Sequence, residues 1–424
     1  MSLSRPIVYV FGFGTARGAL FFAPIVLANI LSLESYGTIE RAQAIAVLLA
    51  LIIGLGLPAS APLILLRREV TARWDTLLLM VIVLSGLAFT VTAVAFLTLG
   101  KGLSLGVLIP VTVGLLLLQS MWSAALKARG RANTALFLET GFWLSAVIGA
   151  AFSLFFAISN DWIALVFLSY GLLLWAAAVQ AFRCQRAPFG LADLRDNIKL
   201  GAPLLVATLF TLLVTSSGRY ILAITSNAET VGIFSVLFRA TALPLVGHQM
   251  LTVAFFRQLY TWDIQTLRRR SPLIPIGVFI FVIGFWILAD PLGWMLGKRF
   301  QDIFAQYRFI GLLILSQTIF WSAIALNDML NARLQIAAYV ARLTLPFLLT
   351  GLILLSGTMI TFGSVNLQLA LFVIVVGQSL LMAIFYLAQC AGMYLKGHAF
   401  WRLWLTVGGS FGAVAVAIII QMAQ

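Results

Sequence analysis

Residues 7–31 read IVYVFGFGTARGALFFAPIVLANIL. The run carries one charge, Arg17, and is long enough as a helix to cross a hydrocarbon core about 30 Å thick. Comparable apolar runs recur along the whole chain. Of 424 residues 62% are hydrophobic and only 9% charged, and the mean hydropathy is +1.07. Soluble domains carry roughly 25% charged residues, so a soluble protein is excluded. The first run has no small-residue cleavage site after it, so it reads as a retained helix rather than a cleaved signal.

Splitting the runs at polar and Gly/Pro clusters predicts about thirteen spans. In the first half they lie near 7–31, 39–66, 76–99, 104–127, 134–157 and 161–182. In the second half they lie near 200–224, 230–256, 273–296, 304–328, 334–357, 365–394 and 402–422. The net charge of +14 would suggest nucleic acid on a soluble chain. Here it follows the positive-inside rule, and no nucleic-acid partner is expected. Arg67, Arg68 and Arg73 follow helix 2; Lys127, Arg129 and Arg131 follow helix 4; Arg183, Arg186 and Arg195 follow helix 6. Arg268, Arg269 and Arg270 follow helix 8, Arg333 follows helix 10, and Lys396 and Arg402 flank the end of helix 12. The opposite loops hold Glu34, Lys101, Asp161 and Glu229, and only 290–302 mixes Lys298 and Arg299 with acids. The N-terminus is therefore expected in the cytoplasm. Cys184 and Cys390 are too few for a disulfide framework.

The chain repeats itself. LSLESYGTIERAQAI (31–45) and SNAETVGIFSVLFRA (226–240) align at an offset of 195, pairing Ser32 with Asn227, Glu34 with Glu229 and Gly37 with Gly232. Ser and Asn suit a helix N-cap, and a first-turn Glu suits the positive helix end. At the same offset helices 3, 4 and 5 land on helices 9, 10 and 11. The reading is an all-α polytopic membrane protein of about 12–13 transmembrane helices, with two six-helix lobes related by a pseudo-twofold axis along the membrane normal. Its parts are residues 1–190 (helices 1–6), 191–396 (helices 7–12) and 397–424, an extra helix. In such a plan the substrate site lies between the halves.

Some charges fall at membrane depth. Arg17, Arg239 and Arg342 sit a third to half of a span from either end. Arg41, Arg219 and Arg308 lie nearer the outer ends, Glu139 near an inner end, and His248 deep in helix 8. Each deep charge costs at least about 2.5–3.5 kcal/mol on insertion scales. Arg41, Arg219 and Arg308 can instead snorkel to the interface, His248 reads as a hydrogen-bonded packing residue, and Glu139 as a partner for Lys127 or Arg129. For Arg17, Arg239 and Arg342 the acids needed for buried pairs are missing on this reading, so an anionic substrate is the expected counter-ion. Gly14 and Gly18 flank Arg17, which allows close approach on that face. GLGLPASAP (54–62) interrupts helix 2, and Pro203, Pro244 and Pro346 fall within helices 7, 8 and 11, where bends are expected. No metal-ligand spacing, Walker motif or catalytic triad is present, so neither a cofactor nor an enzyme is expected.

Residues 11–69, FGFGTARGALFFAPIVLANILSLESYGTIERAQAIAVLLALIIGLGLPASAPLILLRRE, resemble the first two helices of the polysaccharide-biosynthesis exporters. These are the O-antigen and related lipid-linked oligosaccharide flippases of the multidrug/oligosaccharidyl-lipid/polysaccharide superfamily. Residues 199–240, KLGAPLLVATLFTLLVTSSGRYILAITSNAETVGIFSVLFRA, resemble the opening of that family's second half, with its Gly-x-Pro start, Asp-Arg pair and E-x-x-G-x-Y turn. Two positions depart: Gly218 stands where the family has Asp, and Phe234 where it has the turn Tyr. The resemblance implies a flippase moving an undecaprenyl-pyrophosphate-linked oligosaccharide, an O-antigen or exopolysaccharide repeat unit of lipopolysaccharide-type assembly, across the bacterial inner membrane. Its partners would be membrane lipids, a polysaccharide polymerase and glycosyltransferases. Arg17, Arg239, Arg342, Arg219 and Arg41 are the expected substrate-binding residues, because guanidinium pairs bidentately with phosphate. Trp122, Trp143, Trp321 and Tyr339 are candidates to stack on sugars. A multidrug exporter of cations would need deep carboxylates. A membrane glycosyltransferase or polymerase would need a sizeable outer loop, and every loop here is short.

Overall fold

A computed structural model describes residues 4–55, 65, 74–129, 131–183, 191–241, 243–248, 251, 262–288, 296–334, 336–362 and 366–423. Among them ten helices are long and apolar enough to cross a membrane, or eleven if one bent pair is a single span. Helices suit this setting because lipid offers backbone amides no partner, and a helix satisfies them internally. The chain is an all-α polytopic membrane protein.

It divides into two compact units, Met1–Leu209 and Phe210–Gln424. The first holds α1 (Ser4–Ile30), α2 (Leu33–Ile53), α3 (Trp74–Leu99), α4 (Leu105–Ala128), α5 (Ala132–Phe155) and α6 (Trp162–Arg183). Helix α7 (Leu191–Thr215) runs from the first unit into the second. Helix α4 is the hub of the first unit, packing on α2, α3, α5 and α6, while α1 lies on α5. The α4 span is 61% buried against 28% for α6, which separates the central helix from a lipid-facing one. At one end Asp161 ties two loops together, accepting the Leu103 amide N–H at 2.9 Å and the Ser159 hydroxyl at 2.6 Å. Gly102 is needed there, since a Cβ would stand 2.3 Å from the Asp161 carbonyl oxygen.

The second unit holds α8 (Ser217–Thr225), α9 (Ala228–Thr241), α10 (Ile264–Arg270), α11 (Leu273–Ile287), α12 (Lys298–Gln306), α13 (Arg308–Arg333), α14 (Ala337–Phe362), α15 (Leu367–Leu395) and α16 (Trp401–Ala423). Helix α13 is its hub, 78% buried and packed on α9, α11, α14, α15 and α16. Leu315, Ile319, Ala323 and Leu326 of α13 interlock with Phe385 of α15 and Val407 of α16. In lipid, close packing rather than removal of water holds such helices together. Predicted helices 4 and 10, which the offset of 195 also matches, are thus the hubs of their respective units.

The repeated turns form as read. Ser32 Oγ accepts the Ser35 N–H at 3.2 Å to cap α2, and Asn227 Oδ1 accepts the Thr230 N–H at 2.9 Å at the start of α9. Two details differ from the sequence reading. Helix α2 begins at Leu33, a turn and a half before the expected 39, because the Ser32 cap starts it. The sharp break in helix 7 is not at Pro203: α7 and α8 meet at Ser216 with a bend of 69°. Helix α2 does stop where the interruption at 54–62 was expected, with Gly54 as its C-cap; residues 56–64 lie outside the described residues.

Candidate functional site

The five expected binding arginines divide between the units. Arg17 on α1 and Arg41 on α2 belong to the first; Arg219 on α8, Arg239 on α9 and Arg342 on α14 belong to the second. The Arg17 side chain lies outside the described residues, and its flanking Gly14 and Gly18 face open space, with nothing within 4 Å of an added Cβ. The close helix approach expected there is not seen among the described residues. Arg41, Arg219 and Arg239 are half-buried, and Arg342 is exposed. In the second unit α8 packs on α9, α14 and α15. The helices of Arg239 and Arg342 are therefore both neighbours of the one that carries Arg219.

The position of Arg219 is set by the bend. A break in an apolar span strands backbone groups that lipid cannot satisfy. The side-chain amide of Gln378 on α15 bridges this one: its Nε2 donates to the Thr215 carbonyl at 2.8 Å, and its Oε1 accepts the Gly218 N–H at 3.2 Å. Gln378 is 1% exposed. It takes the place of the missing turn of helix. The approach requires glycine, because a Cβ on Gly218 would stand 2.3 Å from Gln378 Oε1. The residue that replaces the resembled family's Asp is thus fitted to a partner on another helix.

The expectation that acids are missing at depth is corrected. Glu40 is fully buried on α2, beside Arg41, and accepts the Tyr36 hydroxyl at 2.7 Å. Asp328 is half-buried on α13, where the Thr211 hydroxyl and the Gln389 amide, at 2.8 Å, donate to its two oxygens. Asp75 is buried near the start of α3. The sequence reading put Glu40 and Asp328 at span ends. The observed helices are shifted, α2 starting at Leu33 and α13 running on to Arg333, which puts both inside. Glu139 forms an ion pair with Lys127, as expected, and also accepts the Ser123 hydroxyl at 2.6 Å.

The other candidates divide. His248 Nδ1 lies 2.7 Å from Ser322 Oγ and its ring stands edge-on to Trp321, which is the packing role expected. Trp143 is 2% exposed, packed on Phe142, and cannot meet a sugar. Lys396 sits over the Tyr339 ring at 4.3 Å. Trp122 and Trp321 are half-buried. No cluster of His, Cys, Asp and Glu able to hold a metal occurs among the described residues.

A family described as "Polysaccharide biosynthesis protein" matches residues 6–256. No curated protein gives a match. Solved structures show the same fold at low identity. An inward-facing multidrug resistance MATE family transporter of the MOP superfamily aligns with TM-score 0.56 and 14% identity, over 91% of this chain and 95% of its own. The MATE multidrug transporter DinF-BH gives 0.58 and 13%, over 94% and 97%. The lipid II flippase MurJ, in an inward closed conformation, gives 0.56 and 11%, over 99% and 100%.

Proposed function

The chain belongs to the polysaccharide biosynthesis protein family, and we propose that it flips an undecaprenyl-pyrophosphate-linked oligosaccharide across a bacterial inner membrane. At the coarser level it is a membrane flippase or transporter of the MOP superfamily. The observation that carries the finer reading is the placement of Arg219, Arg239 and Arg342 on neighbouring helices of one unit, inside a fold with few acids. Three guanidinium groups suit a pyrophosphate, which offers several oxygens and two or more negative charges. In this reading the N-terminus lies in the cytoplasm. Arg17 and Arg41 supply cations from the first lobe, and rocking of the lobes exposes the head group to each side in turn. Polymerase and glycosyltransferases are its working partners, and no step of catalysis is assigned to the chain.

Export of cationic drugs is the rival reading, and the buried Glu40 and the half-buried Asp328 favour it, as does the fold shared with MATE transporters. Proteoliposomes separate the two. The flippase should move a fluorescent lipid-pyrophosphate oligosaccharide between leaflets, with Arg239→Ala slowing it about tenfold or more, the loss of one charged hydrogen-bonding partner. Transport of a lipophilic cation together with an immobile lipid-linked sugar would reverse the assignment.

A further inference from the structure

One end of the second unit holds a cavity of about 330 Å³ that the arginines do not line. It lies where α12 meets α13 and where α15 begins, between Gln306, Tyr307, Phe309, Asn366, Gln368 and Phe372. That volume is at the lower end for a small-molecule site, which spans about 300–1,000 Å³. Phe309 and Phe372 stack with ring centroids 6.0 Å apart and 23° between planes. Phe372 is 39% exposed, so an aromatic surface is open to an occupant. Asn366 Oδ1 accepts the Gln368 backbone N–H at 2.8 Å as the cap of α15, which leaves the Asn366 amino group to donate.

The lining has a definite chemistry. Amides both donate and accept, which matches hydroxyl groups that do the same. Burial and the nearby Glu229 carboxylate both push the Tyr307 phenol up, so its hydroxyl stays protonated and can donate. Aromatic faces carry partial negative charge and attract the slightly positive C–H face of a saturated ring. No Lys, Arg, Asp or Glu is among the described lining residues, which favours an uncharged ligand. A ring with hydroxyls on its rim and C–H bonds on its face is a pyranose.

We propose that this cavity is a subsite for one neutral pyranose of the transported oligosaccharide, at the end of the unit that the loop charges place outside the cytoplasm. The assignment rests on the flippase reading, and its test is chosen to fail separately. Full-length protein in lipid nanodiscs is probed by saturation-transfer difference NMR with methyl glucoside, methyl galactoside and N-acetylglucosamine, with sorbitol as a polyol lacking a ring face. At least one glycoside should bind at millimolar concentration while sorbitol does not. Phe372→Ala and Gln368→Ala should each weaken the signal severalfold; both side chains are exposed at the surface, so the fold should survive. Absence of binding by every glycoside, equal binding of sorbitol, or unchanged binding by both variants would overturn the subsite. If wild type flips the lipid-linked oligosaccharide but binds no glycoside, only the subsite falls. If it binds glycoside and flips nothing, the flippase reading falls and the cavity stands as a pyranose site without a transported sugar.

Discussion

The Gly218–Gln378 contact makes a prediction of sign. In an ordinary helix Gly→Ala is favourable by up to about 1 kcal/mol, since glycine loses more backbone freedom on folding. At 218 the added Cβ would stand 2.3 Å from Gln378 Oε1, which forces the amide away. Both the Gly218 N–H and the Thr215 carbonyl then lose their partner. Each buried group left unsatisfied costs about 1–3 kcal/mol, so Gly218→Ala should destabilise the second unit by about 1–5 kcal/mol net. In a Gln378→Ala background that loss has already occurred and the space is open, so the same Gly218→Ala change should be neutral or favourable by up to about 1 kcal/mol. The assay is thermal unfolding of the four purified proteins in one detergent, where about 2–4 °C per kcal/mol is expected for a unit of this size. If Gly218→Ala lowers the midpoint equally in both backgrounds, the amide bridge does not hold the bend. Gly218→Asp, which restores the acid of the resembled family, should behave like Gly218→Ala but worse, and should be rescued by the shorter residue at 378.

Other perturbations have simpler outcomes. Arg342→Lys keeps the charge but loses the bidentate fork, so flipping of a lipid-pyrophosphate substrate should fall between wild type and Arg342→Ala; equal rates for all three would remove Arg342 from the grip. Burial alone would raise the Asp161 carboxyl, but the Ser159 hydroxyl, the Leu103 and Gly102 amides and nearby Lys101 outweigh it and hold the group below its ordinary value. A folded value below the unfolded one means stability present above the ordinary carboxylate value of about 3.9 and lost as pH falls through the lowered one. Asp161→Asn should therefore flatten the acid limb of a midpoint-versus-pH curve, and an unchanged limb would exclude Asp161 as its source. The Lys127–Glu139 pair has side chains 45% and 27% exposed, so Lys127→Met should change stability by no more than about 1 kcal/mol. A larger loss would mean that Glu139 depends on the ammonium group rather than on the Ser123 hydroxyl.

What the sequence made legible was local. Span positions follow from runs of apolar residues, and the caps at Ser32 and Asn227 follow from a polar residue before a first-turn Glu, each set within four residues. The bend at Ser216 was not legible. The signal read for a break in this span, Pro203, is in the wrong place, and the groups that stabilise the bend come from Gln378 on α15, which no local pattern links to α7. The setting of Asp328 escaped for the same reason: its donors, Thr211 and Gln389, arrive from α7 and α15. Glu40 was lost to a boundary error of six residues, enough in a helix to move a side chain about 9 Å along the axis.

Those acids alter the charge argument without reversing it. A carboxylate that serves a cationic cargo must release whatever holds it when the cargo arrives. Asp328 has a donor on each oxygen, from two other helices, and Glu40 takes the hydroxyl of Tyr36 one turn earlier on its own helix. Both are thus tied to the protein. The arginines proposed for the substrate differ in setting: Arg342 is exposed, and Arg219 and Arg239 are half-buried. Exposure at membrane depth is costly for a guanidinium unless it meets water or an anion, and an anion that passes through meets that requirement only while bound. The same chain therefore holds Glu40 and Asp328 in hydrogen bonds and presents Arg342 at its surface, the polarity expected of a carrier whose cargo is negative.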